Sequence, residues 1–309
     1  MISPYASALA AAHDAAASQH YPQGALYLVA TPIGNLADIG LRALHVLQIA
    51  DTVACEDTRH TQAMLRAYGI EKAGAGLLAL HQHNELEATA LVIERLRQGQ
   101  RVAYASDAGT PAISDPGARL VAQVRAAGLT IVPVPGPSSV TAALSVAGVD
   151  TDGAQGGGFL FVGFLSAKPT ERAARLASLA TEEHTVVLLE APHRIQSLAI
   201  ALAALGQRRL TVGRELTKQF EQVATMPAAD FAPWLGADAN RARGEFVLVL
   251  HPEARPAQTG DELRVLRLLL AELPLRTAVR LAAEITGAPR NTLYQAALTL
   301  KQDDAAPPD

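Results

Sequence analysis

The chain has a single cysteine, Cys55, in 309 residues. That excludes an internal disulfide and any site built from several thiolates, and it suits a reducing, cytoplasmic setting. No apolar run reaches the roughly 18 residues of a membrane-spanning helix before charge, proline or glycine interrupts it. The stretch Met1 to Gln23 has neither a basic start nor a long apolar run, so no secretory leader is expected. No G-x-G-x-x-G fingerprint, G-x-x-x-x-G-K-[ST] loop or G-x-S-x-G elbow occurs. The usual sequence marks of a dinucleotide enzyme, a nucleoside triphosphatase and an α/β hydrolase are therefore missing. Positive charge is not in excess: 26 Lys and Arg face 30 Asp and Glu, a net charge of −4. A uniformly basic nucleic-acid binder is excluded, although local patches act through their own field.

What is present is a globular composition, 49 % hydrophobic and 18 % charged. The length gives room for about two domains. From Leu26 onward, short apolar runs alternate with longer amphipathic ones. LYLVA (26–30), TVACE (52–56), LLAL (77–80), VAYAS (102–106) and TIVPVP (130–135) read as strands. Between and after them, 36–50, 58–69, 84–99, 116–128 and 137–148 have helical spacing, with Asn84 and Glu87 placed for a capping box. The alternation predicts a mostly parallel α/β sheet. A glycine-rich break at 152–158 marks a boundary, after which strands at 159–165, 185–190, 210–216 and 245–251 and a helix at 192–206 form a second unit. The expected organisation is a disordered or loosely helical tail (1–23), an N-terminal α/β domain (24–151), a second α/β domain (158–252) and, past a proline-containing spacer, a helical segment (261–302).

Four turn-rich loops each follow an apolar strand: TPIGNLADI (31–39), CEDTRHT (55–61), SDAGTPAISDPG (106–117) and PGPSSVTAA (135–143). In open α/β sheets the ligand crevice lies beyond the carboxyl ends of the strands. Glycine and proline there allow close approach of backbone groups, and small hydroxyl side chains add donors without bulk. Four such loops at one sheet edge frame a pocket made largely of backbone. His81 and His83 offer two imidazoles, but alternate residues of a strand end point to opposite faces, so no metal site is expected.

The ordered series LYLVATPIGNLADI, ACEDTRHT, LHQHNE, YASDAGTPAISDPG, VPVPGPSSVTAALSVAG, FVGFL, LLEAPHRI and VGRELTK resembles the ribosomal RNA small subunit methyltransferase I family. That family is part of the tetrapyrrole-methylase-like group of S-adenosylmethionine enzymes. The likeness runs from about Leu26 to about Leu300. It implies two α/β domains with the methyl donor between them, a homodimer, and 2′-O-methylation of a cytidine ribose in the decoding region of small-subunit (16S) rRNA, with the 30S subunit as partner.

On that likeness, Asp107 is the expected acceptor for the donor's ribose or ammonium, with Ala108, Gly109 and Thr110 lining the pocket. Pro32 and Gly34 belong to the first loop. Ser138 and Ser139 begin a helix whose free N–H groups suit polar atoms, and simple N-capping is the alternative. The resemblance places Leu189, Glu190, Ala191, Arg214, Glu215 and Leu216 on the opposite wall. A ribose hydroxyl needs a base, for which Glu56, Asp57, His81, Glu85 and Lys218 are candidates. Arg59, Arg194 and Arg214 are candidate phosphate ligands. The dense cluster Glu56, Asp57, Arg59 ranks first for catalysis.

The segment 263–300 reads as helix, break at Pro274, helix, turn at Gly287–Pro289, and a third helix capped by Asn291, a helix-turn-helix pattern. Over 261–301 six basic side chains face four acidic ones, so RNA contact is expected there. Two other functions stay open: a tetrapyrrole as methyl acceptor, or a regulator in which the helix-turn-helix binds nucleic acid.

Overall fold

The computed structural model describes residues 5–113, 117–149, 158–253 and 261–303. Most of the glycine-rich break, the 254–260 part of the spacer, residues 114–116 of the third loop and the last residues of the tail lie outside them. The chain divides into two compact units, Met1–Pro252 and Glu253–Asp309.

The first unit contains two sheets. Its first sheet holds β1 (Ala25–Val29), β2 (Thr52–Cys55), β3 (Leu77–Ala79), β4 (Val102–Ala105) and β5 (Thr130–Val134), in the order β3-β2-β4-β1-β5. Every pairing is parallel. The strands β2 and β4 are buried along their whole length, as a sheet covered on both faces requires. The connecting helices are α2 (Leu41–Ile49), α3 (Thr58–Tyr68), α4 (Glu85–Arg97), α5 (Gly117–Ala126) and α6 (Ser139–Val146). All-parallel pairing brings the four loops out at one edge.

The second sheet holds β6 (Phe159–Phe164), β7 (Thr185–Glu190), β8 (Arg209–Arg214), β9 (Gln222–Pro227) and β10 (Phe246–Leu250), ordered β6-β7-β10-β8-β9. Only β6 and β7 pair in parallel; the other three pairings are antiparallel. The parallel pairing expected for the first domain does not extend to this one, because β8, β9 and β10 are joined by turns and a short helix instead of full crossover helices. The helices of this half are α7 (Pro169–Leu179), α8 (Ile195–Leu202) and α9 (Phe231–Gly236). Because β10 runs against both β7 and β8, the carboxyl ends of β7 and β8 share one edge. The register sets Glu190, Phe246 and Arg214 in a row there.

An apolar cluster joins the two halves. Ile33 of the first loop and Val140, Ala143 and Ala147 of the α6 region pack with Val187, Val247 and Val249 of the second sheet and with Leu216. Burying a side chain of this size contributes about 1.5–3 kcal/mol, so this seam fixes the first loop against the second sheet.

Local expectations in this unit meet the following outcomes. Of the two readings of the tail, disordered or loosely helical, residues 6–16 follow the helical one and form α1 (Ala6–Ala16). Alanine favours helix, and Tyr5, Ala8, Leu9 and Ala12 pack against the first domain's core at helical spacing. The single helix expected over 36–50 is a short 3-10 turn at Leu36–Asp38 followed by α2, with Gly40 as the cap. Asn84 makes no capping bond to α4; its amide instead accepts from the His81 N–H at 2.8 Å and donates to the Ala79 carbonyl at 2.9 Å. The strand β9 was not foreseen: it is a sheet edge, its residues only alternately exposed, with no apolar run to mark it.

The second unit consists of α10 (Asp261–Glu272), α11 (Leu275–Thr286) and α12 (Arg290–Asp303). Leu266, Val279, Ala282, Ala288, Leu293 and Ala297 form its core. Gly287 ends α11 in the left-handed conformation at φ 73°, the usual glycine stop. Asn291 is inside α12 and not its cap.

Candidate active site

The first and third loops are tied together by a reciprocal pair of bonds. Thr31 N–H donates to the Gly109 carbonyl and Gly109 N–H to the Thr31 carbonyl, both at 3.0 Å. The buried Thr31 hydroxyl donates to Ser106 O at 3.0 Å, and the Thr110 hydroxyl reaches Pro137 O of the fourth loop at 3.1 Å. Gly109 has φ 83°, and a Cβ on it would meet Ile33 Cγ2 at 3.3 Å. The bridge therefore needs glycine. Gly109→Ala is expected to destabilise the unit by about 1–2 kcal/mol, the usual cost of a left-handed L-residue, seen as a lower midpoint in chemical denaturation.

The second and third loops interlock through their carboxylates. Asp57 N–H donates to Asp107 Oδ1 at 3.2 Å, and Asp107 N–H to Glu56 Oε1 at 3.4 Å. The buried Cys55 lies beneath them. Burial pushes its thiol up to about 11, and the negative charges of Asp107, Asp57 and Glu56 add to the shift, so the thiol stays neutral and is no nucleophile. Asp57 is engaged structurally, since its Oδ1 caps α3 by accepting from the N–H groups of Arg59 at 2.8 Å and His60 at 3.4 Å. Those bonds hold its carboxyl below the usual range, which makes it a weaker base. Arg59 projects outward, its side chain 92 % exposed.

Pro32 is buried and Gly34 is exposed. At Gly34, φ is 153° and a Cβ would lie 2.4 Å from Lys218 Cγ. The Lys218 stem thus crosses the first loop from the other half of the unit. In the fourth loop, Ser138 is the N-cap of α6, yet its hydroxyl makes no capping bond. Capping does not account for the serine pair.

Across the seam, Leu189 and Glu190 end β7. Glu190 is buried, its Oε1 accepting from Ala191 N–H at 2.9 Å and facing Arg194 Nε at 3.1 Å. Arg194 also donates to Leu165 O. Arg214 ends β8 with its guanidinium donating to Arg243 O and Asn240 O at 2.7 Å and Phe220 O at 3.3 Å. Neither arginine presents a phosphate-binding fork, which corrects that expectation. Glu215 and Thr217 then adopt φ of 51° and 67°, a strained turn of the kind that gathers at functional sites.

Lys218 Nζ bridges Glu215 at 2.9 Å and Glu245 at 3.0 Å. Burial lowers its pKa, but the two carboxylate bonds outweigh it and raise the ammonium above its ordinary value. A lysine so held is no base near neutrality. For Glu215, burial raises the pKa, but the bonds from Lys218 and Glu245 N–H prevail and hold it below the usual range. A depressed carboxyl contributes stability that is present above its unfolded pKa of about 4.3 and lost as pH falls through the folded value. Glu215→Gln is therefore expected to flatten the acid limb of stability below about pH 4.3, measured by denaturation midpoints across pH.

Glu85 is buried at the start of α4 and pairs with Arg119 of α5 at 3.4 Å, a packing role. His81 and His83 do not diverge: residues 81–84 are a turn, and the two rings stand 5.9 Å apart. Among the described residues there is no cluster of three or more metal-ligating side chains, and no helix is long and apolar enough to cross a membrane.

Residues 25–232 match the family described as Tetrapyrrole (Corrin/Porphyrin) Methylases, and 256–301 match the RsmI C-terminal HTH domain. The chain is 48 % identical over 281 residues to the Ribosomal RNA small subunit methyltransferase I of Pseudomonas aeruginosa, covering 89 % of this chain and 97 % of the relative. It is 46 % identical to that of Escherichia coli O157:H7 (89 % and 95 % covered). For Neisseria meningitidis serogroup B the values are 44 %, 94 % and 98 %. The chain belongs to the ribosomal RNA small subunit methyltransferase I family.

The family's fold is seen again in solved structures of low identity. A cobalt precorrin-4 methyltransferase aligns with TM-score 0.54 and 20 % identity, over 75 % of this chain and 98 % of that one. Diphthine synthase gives 0.54 and 16 %, over 74 % and 90 %. A uroporphyrin-III C-methyltransferase from Thermus thermophilus, complexed with S-adenosyl homocysteine, gives 0.50 and 19 %, over 72 % and 96 %. The family's helix-turn-helix is the second unit described above.

Proposed function

We propose that this chain is a cytoplasmic, homodimeric enzyme that transfers a methyl group from S-adenosylmethionine to the 2′-oxygen of a cytidine ribose in the decoding region of small-subunit (16S) rRNA. The observation that carries the reading is the Thr31–Gly109 bridge, which ties the first and third loops together at the carboxyl edge of a parallel sheet. The relatives named for rRNA methylation, each covered almost to its full length, support the acceptor class.

The residues present fit the donor. Gly109 keeps the bridge to Thr31 closed, Ser138 has a hydroxyl not used in capping, and Asp107 offers its carboxylate from a half-buried position. Asp107 holds the donor's ribose or ammonium, and Ala108, Gly109, Thr110, Ser138 and Ser139 line the slot with Pro32 and Gly34. From the other half, Leu189, Glu190, Ala191, Glu215 and Leu216 close it, with Arg214 acting through its backbone. S-adenosylmethionine supplies an electrophilic methyl on a sulfonium. The slot's contribution is orientation, which for in-line displacement is the main lever.

The acceptor hydroxyl sheds its proton as its oxygen attacks. Glu56 or His81 takes that proton, since Asp57 is engaged as a cap, Lys218 is held charged and Glu85 is buried in packing; Glu56 also accepts from Asp107 N–H at 3.4 Å. Arg59, projecting from the same loop, holds an RNA phosphate. Arg59→Ala is expected to weaken 30S binding several-fold and to lower the salt slope by about one, measured by filter binding at two salt concentrations, with donor affinity unchanged.

The second unit adds a further RNA contact. Two of its cations, Arg280 and Arg290, share Glu284 at 3.1 and 3.8 Å, so the field available to RNA is smaller than a charge count suggests. The deciding experiment is incubation with labelled S-adenosylmethionine and 30S subunits, followed by mapping of the modified nucleotide. Label on a cytidine 2′-oxygen supports the reading. Label entering only a porphyrinoid, or donor binding without transfer, sinks it.

A further inference from the structure

At the amino-terminal ends of β1 and β4, the edge opposite the four loops, the first domain has an open surface cavity of about 650 Å³. Its polar lining is Gln19, His20, Gln23 and Arg101, with the rings of Tyr21 and His45. That volume is in the range of small-molecule sites. The segment 5–23 that forms its outer wall precedes both stretches matched by the family descriptions, 25–232 and 256–301. We propose that this cavity is a second ligand site, and that it takes a nucleoside monophosphate.

Four observations carry the assignment. First, the wall is built and not a loose flap. α1 ends against α2 with Ala12 and Ala16 buried, and the Tyr27 hydroxyl holds Pro22 O at 2.7 Å. Second, the polar part of the lining is all donors and neutral acceptors, with Ala17 and Ile49 as its apolar part. No carboxylate lines the cavity, and among the described residues the Arg101 guanidinium has no carboxylate partner, although the Arg101 backbone N–H donates to Asp51 Oδ2 at 2.7 Å; its Nε donates to Tyr21 O at 3.2 Å, and the guanidinium lies beside the Tyr27 hydroxyl. A guanidinium has five N–H donors in a planar fork suited to phosphate, so most of its capacity is left for a ligand.

Third, His45 is 5 % exposed and its Nδ1 has no partner. A buried polar atom without a partner costs about 1–3 kcal/mol; the Nδ1 itself is shielded, and the ring borders the space through its other atoms. Burial, with the charge of His13 added, lowers the His45 pKa, so the ring is neutral near pH 7 and does not repel a base. Fourth, the Tyr21 and His45 rings lie 4.9 Å apart at 50°, a tilted aromatic corner against which a planar base packs. The cation and amides meet the phosphate and the aromatic corner meets the base. A bare anion would use only the first.

The test uses the full chain with S-adenosylhomocysteine at saturation, so that the donor slot is blocked. Uridine 5′-monophosphate is titrated in by calorimetry, with inorganic phosphate as comparison. One saturable site is expected, with inorganic phosphate at least about tenfold weaker. Arg101→Gln is expected to weaken nucleotide binding at least about tenfold, the range for loss of a charge-assisted pair. Ala17→Trp, at the exposed end of α1 on the cavity wall, fills the space and abolishes binding without touching a charged group. It keeps the test decisive should the arginine variant fail to fold. Absence of saturable binding, equal binding of phosphate and nucleotide, or binding undiminished in Ala17→Trp would overturn the proposal.

Discussion

Asp107→Ala is expected to lower the affinity for S-adenosylmethionine by about ten- to a hundredfold, the range for removal of a charged hydrogen-bond partner. Calorimetry on the purified chain measures it. The carboxylate has two duties in the structure. Its Oδ1 accepts from Asp57 N–H at 3.2 Å, which links the third loop to the second, and the remaining oxygen is the part offered to the donor. Asp107→Asn separates them, because the amide oxygen still accepts from Asp57 while the negative charge is lost. Fold retention follows from the site's place on a half-buried loop, and thermal unfolding checks it. Donor affinity unchanged in both variants would remove Asp107 from the site.

Arg214→Ala is expected to destabilise the first unit by about 3 kcal/mol, because truncating a buried charged donor leaves its acceptors unpaired. Three carbonyls, of Arg243, Asn240 and Phe220, lose their donor at once. They belong to the segments that flank β9 and precede β10, so the damage reaches the second sheet as well as the loop at 215–218. Lysine is a poor substitute, since a single ammonium cannot reproduce a fork that serves three separate oxygens. Denaturant titration gives the stability. Unchanged stability with reduced RNA affinity would instead restore the phosphate-binding role that the sequence suggested for this arginine.

Much of the first domain was legible because its periods are clean. Strands such as VAYA are short apolar runs, each ended by a turn, and the helices between them end at Gly69 and Gly99 with φ 83° at both. The four loops could be placed at one edge because parallel strands leave no choice. The second sheet was less legible. Strand direction is not written in a hydrophobic run, and β9 is an edge strand of modest apolarity. The charged candidates were the least legible of all. Sequence marks Arg194, Arg214, Lys218 and Glu85 as chemically able, but only packing reveals that each is committed to carbonyls or charged partners. The alanine-rich start is half legible for a related reason: its helix propensity is visible in the sequence, whereas the surface that receives Ala12 and Ala16 is not.

The methyl donor lodges, on this reading, where the Thr31–Gly109 bridge joins the loops. A crystal structure of the chain grown with S-adenosylhomocysteine tests that most directly. The molecule is expected against Asp107 to Thr110 and Ser138, with the second sheet's 189–191 and 215–216 segments closing over it. Density for it at any other edge of the unit, or none at saturating concentration, would contradict the placement.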